Sequence, residues 1–93
     1  MHIAVITFRL YAPWVHSLKE KRMIVKSRVS KLQSRFHVSA AETDEQDTHQ
    51  TAVISVACIV PHNAMADSIM DEISAFVEQE TEAQILDEHR EIR

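Results

Sequence analysis

The chain has 93 residues, of which 45% are hydrophobic, and its formal net charge is −4. This length favours one domain, which we expect to span residues 1–93. The mix of apolar and charged residues is typical of a globular protein and excludes a disordered one. The chain contains no glycine. This excludes the P-loop and the glycine-rich dinucleotide-binding motif, because both need glycine where the backbone approaches phosphate.

Cysteine content and hydropathy indicate the compartment in which the chain works. Cys58 is the single cysteine, so no intrachain disulfide can form and a reducing compartment is favoured. No apolar run approaches the roughly 20 residues that a membrane-spanning helix needs. Met1 leads straight into a strand-like pattern without a signal-peptide layout. We therefore expect a cytoplasmic protein that does not interact with membranes.

The first part of the chain predicts a strand followed by a helix. Residues 3–11 are rich in β-branched and aromatic types, and Phe8 is expected to point into the core. Ser17 and Glu20 have the spacing of a capping box, so a helix should begin at Ser17. Its apolar residues recur at helical spacing in one narrow stripe: Leu18, Val25, Val29, Leu32 and Phe36.

The next part predicts two more strands and a second helix. Residues 38–43 are typical of a short strand, residues 44–49 of a polar hairpin loop and residues 50–60 of a long strand. Pro61 and Asn63 are expected to end this strand and to cap a helix. Apolar residues of that helix also recur at helical spacing: Ala66, Ile69, Met70, Ile73 and Val77.

A last strand is expected from Glu82 to about Ile92, where the alternation is poorer. The order of elements is then β-α-β-β-α-β, which predicts an α+β ferredoxin-like sandwich. Right-handed crossovers would place both helices on one face of a four-stranded antiparallel sheet.

Short strings of residues in the first helix and after it carry a resemblance. They are Ser17-Leu18-Lys19-Glu20-Lys21-Arg22, then Val25-Lys26-Ser27, Arg35-Phe36, Val38-Ser39, Glu42, Gln46-Asp47, Gln50 and Ala52-Val53. With these strings the chain resembles, over its full length, the YlxP-like family of small bacterial proteins. The resemblance implies a ferredoxin-like fold and no established activity. Members of the family are often encoded near genes for translation initiation and ribosome maturation, which implies a link to the ribosome.

Positive charge is concentrated on the first helix. The stretch from His16 to Phe36 holds seven of the ten Lys and Arg residues. Residues 17–36 carry a net charge of +6 and the rest of the chain −10, which together give −4. We expect this surface to bind RNA or the ribosome, because Lys and Arg neutralise phosphates and release counterions. Two rows flank the apolar stripe: Lys19, Arg22 and Lys26 on one side, and Lys21, Arg28, Lys31 and Arg35 on the other.

A second interpretation of the basic helix stays open. The second helix carries Asp67, Asp71 and Glu78 on one side of its stripe, and in this fold the two helices lie side by side. The basic rows would then only be solvated, or would form surface ion pairs worth about 0–1 kcal/mol each. In that case no anionic partner is needed.

The sheet face away from the helices predicts an interface. Nothing in this short chain is left to cover it, so its apolar residues would be wet or would meet a partner. Few aromatic residues lie on the central strands, which makes the face a poor platform for stacking bases. We expect a homodimer through this face or through an edge strand, and the residues of the face are Ile3, Val5, Val53, Ala57 and Ile59.

The remaining candidates favour structural roles. Trp14 is expected to pack against Val15 or Leu18, although an exposed tryptophan beside a basic helix would suit a stacked base. The acidic loop could bind a divalent cation or serve as a solvated hairpin tip; it holds Glu42, Asp44, Glu45 and Asp47. No nucleophile, base and orienting group are close in the predicted fold. We therefore expect a non-enzymatic protein with no catalytic residue, metal or cofactor.

Overall fold

Six elements follow one another along the chain. A computed structural model describes all residues, 1–93. The elements are β1 (His2–Tyr11), α1 (Leu18–Phe36), β2 (Ser39–Asp44), β3 (Thr51–Val60), α2 (Asn63–Glu80) and β4 (Gln84–Ile92). The strands form one antiparallel sheet in the order β2-β3-β1-β4. The predicted α+β ferredoxin-like arrangement is confirmed, and its element bounds differ from the sequence prediction by one or two residues.

The core lies between the two helices and one face of the sheet. Alternate residues of β1 point into it, and Phe8 is only 1% exposed, as its position in the strand predicts. Phe8 lies opposite Ile54 of β3, so the two central strands place side chains in the same layer of the core. The other core residues are Ala4, Ile6, Leu10, Val25, Leu32, Val56, Val60, Ala66, Met70, Ile73 and Val77.

The predicted start of α1 is confirmed, with one change in the capping box. The Ser17 hydroxyl accepts a hydrogen bond from the backbone N–H of Glu20 at 3.1 Å, which satisfies a free donor of the first turn. The Glu20 carboxylate reaches back to the backbone N–H of His16, at 3.4 Å, and not to that of Ser17. The chain entering the helix is therefore held one residue earlier than a standard capping box predicts.

The cap of α2 differs from the prediction. His62 is the N-cap residue and Asn63 is already helical. The Nδ1 atom of His62 accepts a hydrogen bond from the backbone N–H of Met65 at 3.2 Å. An imidazole nitrogen thus takes the role that the sequence assigned to the Asn63 amide. The physical requirement, an acceptor over the first turn, is the same in both cases.

Two residues adopt left-handed backbone conformations in this chain without glycine. His37 has φ 53° and Glu45 has φ 58°. His37 follows the last turn of α1, and its backbone N–H donates to the Gln33 carbonyl at 2.9 Å. A side chain in this conformation costs about 1–2 kcal/mol, because Cβ crowds the following carbonyl. Glycine usually occupies this position at helix ends.

Replacing His37 with glycine should therefore stabilise the protein. We expect His37→Gly to raise the free energy of unfolding by about 0.5–1 kcal/mol, the relief of crowding being partly offset by glycine's greater freedom in the unfolded chain. Urea denaturation measures the change. Ser34→Gly, within the same last turns of α1, is the control and should lower stability by a similar amount. A destabilised His37→Gly variant would contradict this account of the helix end.

Candidate nucleic-acid interface

The side of α1 that points away from the core is polar and cationic. Val25 and Leu32 are buried against the core, whereas Met23, on the opposite side of the helix, is 66% exposed. Exposed serines continue this outward side at Ser27, Ser30 and Ser34. The basic residues flank it, so that α1 presents charge and hydroxyl groups along its length of about 28 Å. We call this side of α1 the basic face.

Lys21 does not belong to the basic face. It is only 3% exposed, and its Nζ donates to the carbonyl oxygens of Glu45, at 2.5 Å, and Thr48, at 2.6 Å. Nζ also lies 2.7 Å from Oε2 of Glu42, in ion-pair contact but without the angles of a hydrogen bond. The prediction that Lys21 contacts nucleic acid is therefore corrected, because its ammonium group is enclosed by the protein's own oxygens.

The Lys21 ammonium group fixes the loop between β2 and β3. This loop lies over the start of α1, and Glu45 within it has the left-handed backbone noted above. The Gln50 side chain ties the same loop to the preceding connection, by donating to the Pro13 carbonyl at 3.0 Å. The backbone N–H of Ala12 donates to the Gln50 carbonyl at 2.8 Å. Two loops and a helix start are thus joined at one end of the molecule.

Removing the Lys21 charge should destabilise the protein strongly. Lys21→Met leaves the carboxylate of Glu42 and two carbonyls without their partner, and such a loss costs about 3–5 kcal/mol in buried pairs. We expect this loss of unfolding free energy in urea denaturation. Lys26→Met is the matched control, because Lys26 is exposed and no carboxylate lies within 4 Å of its Nζ. Its stability should change by no more than about 0.5 kcal/mol.

A double substitution separates the ion pair from general packing. If the ion pair is what stabilises the protein, the double variant Lys21→Met/Glu42→Met should lose less unfolding free energy than the two single variants lose in sum. Equal stability of Lys21→Met and Lys26→Met would show that the buried contact is unimportant.

The row of basic residues beside β2 is free. Lys19, Arg22 and Lys26 are exposed, and none has a carboxylate within ion-pair distance. Arg22 and Lys26 border an open groove of about 470 Å³ between α1 and the edge strand β2. Gln33 lines the same groove and donates to the Ala40 carbonyl at 3.4 Å. This flank therefore offers cations next to an accessible groove.

The row beside α2 is partly engaged. Lys31 lies 3.6 Å from the Glu80 carboxylate, with both side chains more than 40% exposed, so the pair is worth little. The Arg35 guanidinium lies 5.2 Å from the ring centroid of Phe36, and this ring contacts Phe76 of α2 edge-to-face. Arg28 is half-buried between the helices, and its Nε is enclosed without a hydrogen-bond partner.

The interpretation in which α2 neutralises α1 is wrong for most of the basic residues. Asp71 does not face α1, because it accepts a hydrogen bond at 2.6 Å from Arg90 of β4. That bond, with further contact from Glu88, raises the pKa of Arg90 above its ordinary value. Asp67 and Glu78 form no ion pair. Carboxylates reach only Lys21 and Lys31 among the seven cations of α1.

The outer face of the sheet is less apolar than predicted. Ile59 is 69% exposed, and its cross-strand neighbour Ile3 is half-buried. Val53 is only 6% exposed, so its prediction as an interface residue is corrected. Arg9 of β1 and Asp44 of β2 lie opposite Val53 in the strand register, and Arg9 reaches towards Glu45, at 4.0 Å. The apolar patch therefore reduces to Ile3, Val5, Ala57 and Ile59.

Hydroxyl groups occupy the middle of that outer face. Ser55 hydrogen-bonds to Thr7 on one side, at 3.0 Å, and to Thr43 on the other, at 2.8 Å. These three side chains cross β1, β3 and β2 in a row. They divide the outer face into an apolar end and an end that carries Arg9 and Glu45.

The acidic loop is not arranged as a metal site. No three side chains of His, Cys, Asp or Glu are grouped so that they could hold a metal ion. Glu42 contacts Lys21 and Glu45 contacts Arg9, so these two carboxylates have other partners. Cys58 is a half-buried free thiol. Neither helix combines the length and the apolar character that crossing a membrane requires.

Trp14 is the functional candidate that the sequence reasoning underrated. It is 43% exposed, while its neighbour Val15 is only 2% exposed and takes the buried position. Trp14 is therefore partly exposed, and its packing against Val15 or Leu18 stays a prediction. Its place in a loop gives no periodicity from which burial can be read. The one signal in the sequence was that Trp14 and Val15 are adjacent apolar residues in a loop, of which only one is buried.

The fold and the basic face define a small α+β protein of the ferredoxin-like type with a cationic first helix. The chain belongs to the family described as "Protein of unknown function (DUF503)", whose model matches residues 3–90. It is 31% identical over 62 residues to "Uncharacterized protein YlxP" of Bacillus subtilis (strain 168), which covers 67% of each chain. The resemblance seen in the sequence is thus confirmed, and the family supplies no activity.

Proposed function

We propose that the basic face binds RNA and that the protein works as a non-enzymatic accessory factor of the ribosome. The observation that carries the proposal is that five of the seven cations of α1 have no carboxylate within 4 Å: Lys19, Arg22, Lys26, Arg28 and Arg35. Each is available to neutralise a phosphate and to release counterions. Such a role would put the protein in the cytoplasm, as the sequence predicts.

The charge distribution supports one orientation of approach. The chain outside residues 17–36 has a net charge of −10, so most of the molecule repels a polyanion. Within α1 the single acidic residue is Glu20, which is engaged with the start of the helix. An RNA strand would therefore meet favourable potential only along the basic face. This arrangement selects the docking direction although the whole protein is acidic.

The uncharged residues of the basic face suit the same partner. Ser27, Ser30 and Ser34 are exposed between the two basic rows. Hydroxyl groups donate to phosphate oxygens and to the ribose, which positions a nucleic acid without reading its sequence. Met23 adds apolar surface at the centre of the face. We therefore expect binding with little sequence preference along this side of α1.

Neutralising the free row should remove most of the binding. We expect the triple variant Lys19→Gln, Arg22→Gln and Lys26→Gln to bind RNA at least about tenfold more weakly at low salt, because three counterion-releasing contacts are lost. Anisotropy of a labelled RNA oligonucleotide measures the affinity, and co-sedimentation with ribosomes tests the wider role.

The matched control changes the net charge equally but on the other helix. Ser68→Glu, Ala75→Glu and Gln79→Glu lie at exposed positions of α2 and also lower the net charge by three. This control should bind RNA nearly as well as the native protein. If five contacts form, the logarithm of the affinity should fall with that of salt with a slope of about −3.5 for a single strand. Equal loss in both triple variants would refute a localised site.

A second candidate function is self-association through the sheet. The observation that favours it is Ile59, which is 69% exposed and lies opposite Ile3 in the strand register. Val5 and Ala57 extend this patch along the next register pair. A second copy of the chain could bury the patch, since both copies would present the same surface. This function does not exclude RNA binding, because the patch and the basic face lie on opposite sides of the sheet.

Self-association is tested by replacing the most exposed member of the patch. We expect the native protein to form dimers in light scattering and Ile59→Lys to be a monomer, because a buried ammonium group would be unpaired. Leu86→Lys, at a 49% exposed position of β4, is the control and should remain dimeric. A native protein that stays monomeric at high concentration would end this candidate.

A further inference from the structure

The cleft beside Trp14 extends the basic face around the side of α1. It has a volume of about 250 Å³ and is lined by Trp14, Ile24 and Arg28, together with residues of the connection between α2 and β4, Thr81 to Ala83. This volume is below the roughly 300–1,000 Å³ of pockets for drug-sized ligands. It suits a single planar group better than a whole nucleotide.

The cleft is continuous with the cations of the basic face. A second, shallower depression is lined by Met23, Ile24, Ser27, Arg28 and Lys31. The two depressions share Ile24 and Arg28. A chain that follows the basic residues therefore reaches the exposed indole ring of Trp14 without leaving the concave surface.

The chemistry of the lining matches a nucleobase. Trp14 is 43% exposed, and an exposed indole offers a face on which a base can stack. Arg28 has no carboxylate partner and lines the cleft, so the terminal nitrogens of its guanidinium group can donate to a carbonyl or a ring nitrogen. Glu82 lines the cleft as well and can accept from a base N–H. Bases present both donors and acceptors on their edges, whereas a phosphate would be repelled by Glu82.

We propose that this cleft takes one unpaired base of the RNA strand whose phosphates lie on the basic face. The inference rests on the proposed function and names its substrate class as single-stranded RNA. A base within a duplex is stacked between its neighbours and paired, so it cannot enter the cleft. Duplex RNA would reach only the phosphate-binding residues.

The test uses Trp14 as its own reporter, because it is the single tryptophan of the chain. The probes are a labelled oligouridylate of about 12 nucleotides, within the site sizes of single-strand binders, and an RNA duplex of equal length. We expect the single strand to quench the tryptophan fluorescence and the duplex to leave it unchanged. Trp14→Ala should weaken single-strand binding by about five- to hundredfold. Trp14→Phe should retain most of the affinity.

The outcomes separate this inference from the proposed function. Binding seen by anisotropy of the label, with unchanged tryptophan fluorescence or with undiminished affinity of Trp14→Ala, overturns the base-binding cleft and leaves the basic face intact. Quenching by the duplex as strong as by the single strand also overturns the cleft. No binding of either probe at low salt overturns both proposals.

Discussion

An ammonium group that leaves water must replace its hydrogen bonds, and Lys21 does so with groups from the end of β2 and the loop that follows it. Two carbonyls and the Glu42 carboxylate surround its Nζ, and they come from residues 42–48, which are distant from α1 in the sequence. Desolvating two charges costs several kcal/mol, which only close, well-arranged partners offset. The position of α1 on the sheet and the shape of the β2–β3 loop therefore depend on each other.

The exposure of the basic face follows from that placement. With Lys21 turned inward, the residues on the opposite side of the same helix point into solvent, and Met23 at 66% exposure marks its outermost line. Two of the acids outside α1 have other partners. Asp71 contacts Arg90 on the far edge of the sheet, and Glu88 binds both Arg90 and the hydroxyl of Ser74 at 2.5 Å. The separation of basic from acidic residues seen in the sequence is therefore also present in the folded protein.

Local patterns were enough to predict the elements, whereas long-range contacts were not predictable. The start of α1 at Ser17 and the alternation of β1 depend on residues near one another in the chain, so the sequence predicts both correctly. Lys21 lies three residues after Leu18 and four before Val25, which places it on the core stripe. The charge of Lys21 predicts a surface position, whereas its spacing from Leu18 and Val25 predicts burial.

The other differences have the same origin. Val53 lies on the outer face, as alternation predicts, but which residues flank it depends on the register of β3 with β1 and β2. The partner of Asp71 is set by the pairing of β4 with β1, which no local pattern reveals. Trp14 and Val15 share one loop, where only packing decides which is buried.

The central claim is that one lysine holds the helix in place while the others lie on the surface proposed to bind RNA, and all four lysines of the chain lie on α1. The most direct measurement is NMR of their side-chain ammonium groups in protein containing isotope-labelled lysine, before and after single-stranded RNA is added. The account predicts that the Lys21 ammonium protons exchange slowly with water and do not shift with RNA, whereas those of Lys19, Lys26 and Lys31 exchange fast and shift. Four ammonium groups that exchange alike, or a Lys21 signal that moves with the others, would contradict it.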